Sequence, residues 1–309
     1  MILIVNLNLA VDVIVDLDGL QLNWAHRARS TLRQGGGKGV NAARVLKTLG
    51  ESCIVAGFLG GRSGEFIGAS LRAEGIASSC TPIRNESRTC LILNDRVARE
   101  QTVINESGAE ISDDEWAQFS LTYERLLRDS ALVLITGSLP RGLPVDAYAH
   151  LIRAANKQGK SVLLDSSSDA LRASLCAAPF IVKINEAEAG ELLGKTVECD
   201  ADVAEATDKL LELGAQNALI TRGAKGAIFN FENVKYRSTP PPIEAENSVG
   251  SGDAVLAGLA SGLRRKLSPE QAGALAVAAG TANALHGFGR CSAEEIDEVL
   301  RKVALHKMY

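Results

Sequence analysis

The segment Asn247-Ser248-Val249-Gly250-Ser251-Gly252-Asp253 sets two glycines, a hydroxyl and an acid directly before the apolar run Ala254-Val255-Leu256-Ala257-Gly258-Leu259-Ala260. Gly250 and Gly252 carry no Cβ, so the backbone there can approach a ligand closely and take dihedrals that other residues avoid. The apolar run reads as a buried helix whose N-terminus supplies unpaired N–H groups and the positive end of a dipole. The 250–252 amides therefore form a candidate hole for a phosphate-like anion. Asp253 falls in the first turn beside it. A carboxylate there is an N-cap, a metal ligand or a general base taking a proton from an attacking hydroxyl. A capped turn with no chemistry is the competing reading of the same residues.

A second glycine-rich segment, Gln34-Gly35-Gly36-Gly37-Lys38-Gly39-Val40-Asn41, precedes a helix predicted to begin near Ala42. A Walker A loop needs Ser or Thr straight after its Gly-Lys pair to hold magnesium, and Gly39 stands there, so that reading fails. Gly37, Gly39 and Ala42 match GxGxxA. A dinucleotide site of that type should follow the first strand and carry an acid about 20 residues on. Here a half-wet β stretch comes first, which argues against it. The third reading is a glycine loop that hydrogen-bonds the hydroxyls of a polyol together with Lys38 and Asn41. An asparagine offers donor and acceptor at once, which suits a sugar. A plain tight turn would leave the glycines and the adjacent lysine unexplained.

The elements that must position these segments follow from the apolar pattern. Ile2 to Val5, Cys53 to Gly57, Ala131 to Ile135 and Ser161 to Asp165 are short apolar runs suited to parallel strands buried on both faces. Helical stretches are predicted over 41–49, 64–74, 113–128, 145–158 and 201–213, then over 254–263, 269–285 and 293–305. Strands recur at 218–221 and 226–229. Alternation of this kind implies βαβ crossovers and an α/β, doubly wound, mainly parallel sheet flanked by helices. Two stretches break the rhythm. Residues 10–33 include Val11-Asp12-Val13-Ile14-Val15-Asp16, and 88–105 reads as two strands joined near Asp95-Arg96. Apolar residues alternating with polar ones suit a sheet with one wet face, so these stretches are predicted to form a small separate β-sheet. No linker, repeat or low-complexity tract interrupts residues 1–309, which are expected to form a single domain.

Composition narrows the partners. A chain of 309 residues with 46% hydrophobic content can bury a large core. Its formal net charge of -4 provides no basic field to draw nucleic acid or anionic membranes, so an anionic ligand must meet a local cluster of positive groups. No apolar run reaches spanning length and no basic leader precedes Ile2, which predicts a soluble cytoplasmic protein. The cysteines at 53, 80, 90, 176, 199 and 291 form no CxxC pair and no cluster with histidine, so zinc sites and disulfides are not expected.

With both glycine segments in hand, the chain resembles the ribokinase-type (PfkB family) carbohydrate kinases. The resemblance rests on Gly36-Gly37-Lys38-Gly39-Val40-Asn41-Ala42-Ala43 and Val249-Gly250-Ser251-Gly252-Asp253. Further pieces are Thr136-Gly137-Ser138-Leu139-Pro140, Asp165-Ser166-Ser167, Lys183-Ile184-Asn185-Glu186-Ala187-Glu188 and Thr221-Arg222-Gly223-Ala224-Lys225-Gly226. Within the family it is most similar to the phosphosugar branch, which comprises 1-phosphofructokinases, tagatose-6-phosphate kinases and the minor 6-phosphofructokinase.

The resemblance implies a ribokinase-like fold with a β-sheet lid, ATP and Mg²⁺ as cofactors, and a homodimer formed through the lid. It implies Asp253 as catalytic base, with the backbone of Gly250, Ser251 and Gly252 as anion hole. It implies Asp12, Gly36, Gly37, Lys38, Gly39 and Asn41 as sugar contacts, joined by Arg88 and Ser138 at the sugar's phosphate. A guanidinium suits bidentate recognition of that phosphate, and Arg88 carries most of the substrate-class argument. Lys183, Asn185 and Glu188 correspond to contacts with nucleotide phosphates, and Asn185 and Glu188 to Mg²⁺ through water; Thr221, Gly223 and Gly226 correspond to a further phosphate loop. Asn283 falls near the expected adenine pocket. Leu9 and Ile184 replace prolines usual in the branch, Ser251 replaces alanine and Asn247 an aspartate, departures that leave the hexose open. Arg27 and Arg29 either join the sugar site or are solvated edge-strand charges. Two alternatives stand beside a ketohexose-phosphate kinase: a kinase for an unphosphorylated sugar or nucleoside, and a regulatory protein that binds sugar phosphate without chemistry.

Overall fold

The strand Ile2–Val5 is buried throughout because its two faces meet two different cores. Ile2 and Ile4 pack into one, Leu3 and Val5 into the other, and Leu132 and Leu134 alternate with Val133 and Ile135 in the same way. Side chains that alternate across a sheet covered on both faces must all be apolar, which is why these strands read as unbroken hydrophobic runs.

The computed structural model describes residues 1–308. Its ten-stranded sheet runs in the order Ala304–Lys307, Val234–Thr239, Ala227–Phe231, Ala218–Thr221, Ile181–Asn185, Ser161–Asp165, Leu132–Thr136, Ile2–Val5, Cys53–Ala56, Ala77–Ser78. Pairing is parallel from Ala77–Ser78 through to Ala218–Thr221 and antiparallel across the remaining strands. The helices among the described residues are α1 (Lys38–Thr48), α2 (Gly61–Ala73), α3 (Asp113–Arg128), α4 (Ala147–Lys157), α5 (Ser168–Leu175), α6 (Glu186–Leu193), α7 (Asp200–Glu212), α8 (Ser251–Arg264), α9 (Pro269–Asn283) and α10 (Ala293–Leu300). Helices α1, α2 and α8 to α10 cover one face, and α3 to α7 cover the other. The doubly wound α/β architecture expected from the sequence is the one observed.

A second sheet pairs Ser30–Gly36, Ala10–Leu17, Arg88–Asp95 and Glu100–Asn105 in that order. Its inner side contributes Ala10, Ile14, Cys90 and Ile92 to a small cluster with Phe288, while Leu32, Val103 and Ile104 stay exposed. This is the small separate sheet expected from the sequence, called the lid below for its place, with one difference. Its strand Ser30–Gly36 continues past residue 33 into the glycine segment, so the lid feeds directly into α1.

Two other expectations are corrected. The last helix stops at Leu300 instead of reaching 305, because Ala304–Lys307 pairs with the otherwise open edge of Val234–Thr239. The short helices α5 and α6 were not anticipated; each is eight residues long and carries too few apolar turns to show a period. Among the described residues, no helix is long and apolar enough to cross a membrane.

Candidate active site

Parallel strands deliver their C-terminal ends to one place, where open α/β sheets hold ligands. Asn6 follows Ile2–Val5, Ser138 follows Leu132–Thr136, and Asp165, Asn185 and Thr221 end their own strands. The lid stands beside these ends, and the two sheets enclose a cleft of about 780 Å³. Asp12, Gly37, Lys38, Asn41, Arg88, Ser138, Lys183, Asn185, Thr221, Gly250, Gly252 and Asp253 all line it.

At its floor, Gly250 caps α8 in the left-handed region (φ 81°), and Asp253 follows in the first turn. Asp253 does not cap the helix. Its buried carboxylate instead accepts a hydrogen bond of 2.9 Å from Asn41 Nδ2. Burial pushes its pKa up to about 6; Asp165 adds to the rise, while Lys38, Lys183 and Asn41 oppose it. The amides of this turn are not equivalent. Ser251 N–H donates to the Ser248 carbonyl at 3.0 Å, and Ser251 Oγ accepts from Asn283. Ser251 thus builds the turn and is withdrawn from the expected anion hole.

Two lysines approach the same point. Lys38 Nζ and Lys183 Nζ each donate to a separate oxygen of Asp165 at 3.0 Å, and Asp165 has no exposed surface. Burial would raise the Asp165 carboxyl, but Lys183 and Lys38 outweigh it and hold it below the ordinary value. Asp165 in turn raises Lys38. A Cβ on Gly252 would lie 2.7 Å from Lys183 Nζ, so the ammonium sits directly against the glycine turn.

On the lid side, Asp12 is buried and pushed up to about 6 by burial, against the pull of Arg44, Arg88 and the Gly37 N–H. Arg88 is planted by bonds from Nε to the Asn8 carbonyl (3.1 Å) and from Nη1 to the Glu106 carbonyl (3.2 Å). Asn8 Nδ2 also donates to Ser138 Oγ at 3.1 Å, which ties the two together.

Several expected contacts have structural jobs instead. A Cβ on Gly36 would stand 2.0 Å from the Asp12 carboxyl carbon, so that glycine makes room for the acid. Gly39 N–H donates to Asn6 Oδ1 at 2.9 Å. A Cβ on Gly226 would lie 2.0 Å from the Ser238 carbonyl, which makes Gly226 a strand-packing glycine. Gly223 opens a short 3-10 turn outside the cleft lining. Asn283 is corrected most plainly. It is 0% exposed, donates to the Val249 carbonyl and Ser251 Oγ, and accepts from Gly289 N–H, so no side-chain atom is left for an adenine. Arg29 pairs with Asp18 and, like Arg27, is exposed away from the cleft lining.

Asn185 and Glu188 form a reciprocal capping box at the start of α6, with bonds of 2.9 and 2.8 Å. Asn185 faces the cleft and Glu188 stands behind it. No group of three or more His, Cys, Asp or Glu is gathered for a metal among the described residues. This donor set fits a hard cation that keeps its own waters and meets phosphates, and does not fit a dry protein cage.

Sequence reasoning assigned Asp165 no role beyond its place in a matching segment and did not single out Arg44, although both are buried and bonded to residues that line the cleft. Asp165 could have been found as the one charge ending an apolar parallel strand; Arg44 gave no signal beyond a charge on the buried face of α1.

Residues 5–294 match the model of the pfkB family carbohydrate kinases. Phosphofructokinase-2 from Escherichia coli, solved with substrates and products, superposes with a TM-score of 0.90 at 26% identity over 97% of this chain and 98% of that one. An inferred phosphofructokinase from Staphylococcus aureus is 29% identical, with a TM-score of 0.83 over 100% and 99%. The ribokinase of Arabidopsis thaliana, solved with ribose and ATP, shares the fold at 19% identity and a TM-score of 0.79, covering 97% and 98%.

Proposed function

This chain belongs to the pfkB family of carbohydrate kinases, and on that premise we propose that it phosphorylates a free hydroxyl of a ketohexose phosphate, with Asp253 as base. Fructose 1-phosphate, fructose 6-phosphate and tagatose 6-phosphate are the acceptors in view. The supporting observation is one cleft with a buried, protonatable carboxylate at its floor and the anchored Arg88 guanidinium at its lid side.

Asp253 takes the hydroxyl proton as the sugar oxygen bonds to the γ-phosphorus of ATP and the bond to the bridging oxygen breaks, releasing ADP. The reaction needs Asp253 ionised, which holds above a pH of about 6. Lys38 and Lys183, held by Asp165, face the transferring group with positive charge, and the Gly252 turn lets the backbone come close. Asp12, Asn41 and Gly37 position the sugar; Arg88 and Ser138 hold its phosphate. Asn185 and Thr221 line the nucleotide side. Mg²⁺, when bound, supplies charge neutralisation on the nucleotide phosphates, and Asn185 and Glu188 would hold it through water. Apolar residues exposed on both faces of the small sheet, Leu32 and Val103 on the side of Ile14 and Ile92 and Ile104 on the other, support pairing of two copies through it.

A coupled ADP-release assay over the three phosphosugars, fructose and ribose tests the acceptor. One phosphosugar should exceed both neutral sugars by about 100-fold in kcat/KM, because only a phosphate engages the anchored Arg88 guanidinium. Preference for fructose or ribose would instead mean a neutral-sugar kinase, and tight binding with no ADP from any acceptor a non-catalytic binder.

A further inference from the structure

Resting on the reading of Asp253 as base, we infer that the Arg44–Glu74 ion pair is a positioning device for it, locking the Asn41 amide so that an N–H faces Asp253.

An asparagine side chain can turn over at almost no steric cost, since its oxygen and nitrogen differ little in size. Turned one way, Asn41 donates to the Asp253 carboxylate at 2.9 Å. Turned the other way, it would set a carbonyl oxygen against that carboxylate and lose the bond. Asp253 cannot enforce the choice alone, because it accepts a proton as readily as a hydrogen bond once its pKa is near the working pH. The opposite end of Asn41 does enforce it. Its Oδ1 accepts from Arg44 Nη1 at 3.1 Å. A guanidinium has only donors and stays charged, so it admits the carbonyl end and rejects the amino end.

Arg44 can do this because it is fixed in its own right. It is buried, and Glu74 holds it with a two-pronged pair of 2.6 Å to Nε and 2.9 Å to Nη2. It further donates to the carbonyls of Gly35 (2.7 Å) and Phe288 (3.2 Å). Gly35 is the penultimate residue of the lid strand Ser30–Gly36, and Phe288 N–H bonds the Val249 carbonyl in the turn that carries Asp253. One side chain therefore ties the lid strand, the sugar-side helix α1, the end of α2 and the Asp253 turn to each other. Arg44 and Glu74 lie outside the cleft lining and open onto a separate groove with Lys47 and Arg290, so they act through Asn41 and touch no reacting atom.

The groups that face Asp253 are Lys38 and Asn41 from α1, Asp165 from the end of its strand and Lys183 from the neighbouring strand. None of these is altered by substitution at Arg44 or Glu74, so a change at Asp253 reports the orientation of Asn41. Losing the Asn41 bond removes a hydrogen bond to the charged form, which raises the pKa and moves the acid limb of activity to higher pH.

The test uses the full chain as Glu74→Gln, Arg44→Lys, Asn41→Ala and the Asn41→Ala/Glu74→Gln double variant. Carboxyl ¹³C NMR titration follows Asp253, assigned by the signal lost in Asp253→Asn; Asp12, which feels Arg44 directly, is assigned by Asp12→Asn. The Asp253 midpoint should rise by about half a unit in Glu74→Gln and about one unit in Arg44→Lys. With the accepted phosphosugar, kcat should fall about tenfold near neutral pH in Glu74→Gln and Arg44→Lys. Glu74→Gln should add no further shift in the Asn41→Ala background. A folded Glu74→Gln protein with an unmoved Asp253 midpoint, or a shift that survives in the double variant, overturns the inference. If Arg44→Lys does not fold, Glu74→Gln carries the test by itself. An Asp253→Asn protein that keeps its rate overturns the base assignment instead, while the NMR midpoints still decide the coupling.

Discussion

The two glycine-rich turns look alike in sequence, and each opens a buried helix, yet the glycines serve opposite neighbours. In the first turn, added Cβ atoms would strike the protein's own side chains: the Asp12 carboxyl carbon 2.0 Å from Gly36 and Asn6 Oδ1 2.7 Å from Gly37. In the second, they would meet donors instead of acceptors, Lys183 Nζ 2.7 Å from Gly252 and Asn41 Nδ2 3.2 Å from Gly250, although all four side chains line the same cleft. The first turn is close-packed against the Asp12 carboxyl; the second lies against the Lys183 ammonium. Helix α1 has no acid in its first turn, whereas α8 has Asp253. Glycine content marks both as places of close approach, and only the neighbours say of what.

The strongest way to break that contrast is Asp253→Asn. We expect kcat to fall by about 10³-fold or more, measured by ADP release, because the base is gone while its shape remains. The same protein should be more stable at neutral pH by roughly 2–3 kcal/mol in denaturant titration, since burial penalises the ionised Asp253 carboxyl. An equal loss of stability would place Asp253 with the structural residues of the first turn.

Arg88→Ala asks whether the lid side reads a phosphate. KM for the phosphosugar should rise about 100-fold with a smaller change in kcat, and KM for a neutral sugar should hardly move. Equal effects on both would remove the substrate-class argument.

The pH profile follows next. Asp253 and Asp12 both have folded pKa values raised to about 6, and the ionisation of Asp253 alone should make kcat/KM climb about tenfold per pH unit below that value and level off above it. Stability runs the other way for these two groups. Their contribution is full below the ordinary carboxylate pKa and is lost as pH rises through about 6, so Asp12→Asn and Asp253→Asn should each flatten that part of the stability curve.

The smallest and most discriminating pair is Gly36→Ala against Gly252→Ala. Gly36→Ala should cost about 1–3 kcal/mol in thermal or chemical unfolding, since the clash is with a buried carboxyl. Gly252→Ala displaces only the end of a lysine; its stability should change by less than about 1 kcal/mol while kcat falls about tenfold. Indistinguishable stability losses would erase the difference between the turns.

The strands Ile2–Val5, Leu132–Thr136 and Ser161–Asp165 were legible because burial on both faces leaves an unbroken apolar signature. The lid hairpin was legible from alternation around Asp95. The helix α6 was within reach, since Asn185-x-x-Glu188 is a capping signature; the resemblance drew attention to those residues as ligands and hid their capping role. The strand Ala304–Lys307 was not legible, because its apolar content is slight and what holds it is the open edge of a distant neighbour. Asp253, Arg88 and Lys183 were expected from the sequence and line one cleft, whereas the side chains of Asn283 and Ser251 are bonded within the protein. Both carry polar groups that a sequence cannot show to be satisfied internally.

The sequence by itself determined the fold class, the two glycine turns and the acid at the start of α8, because periodicity, missing Cβ atoms and neighbouring residue types are local properties. Only the tertiary structure decided which charges meet. Asp165 joins Lys38 across 127 positions, and Asn41 reaches Asp253 across 212. Such pairs are made where the first turns of α1 and α8 meet the end of the Ser161–Asp165 strand, and their energies depend on burial and distance, quantities that exist only once the chain is folded.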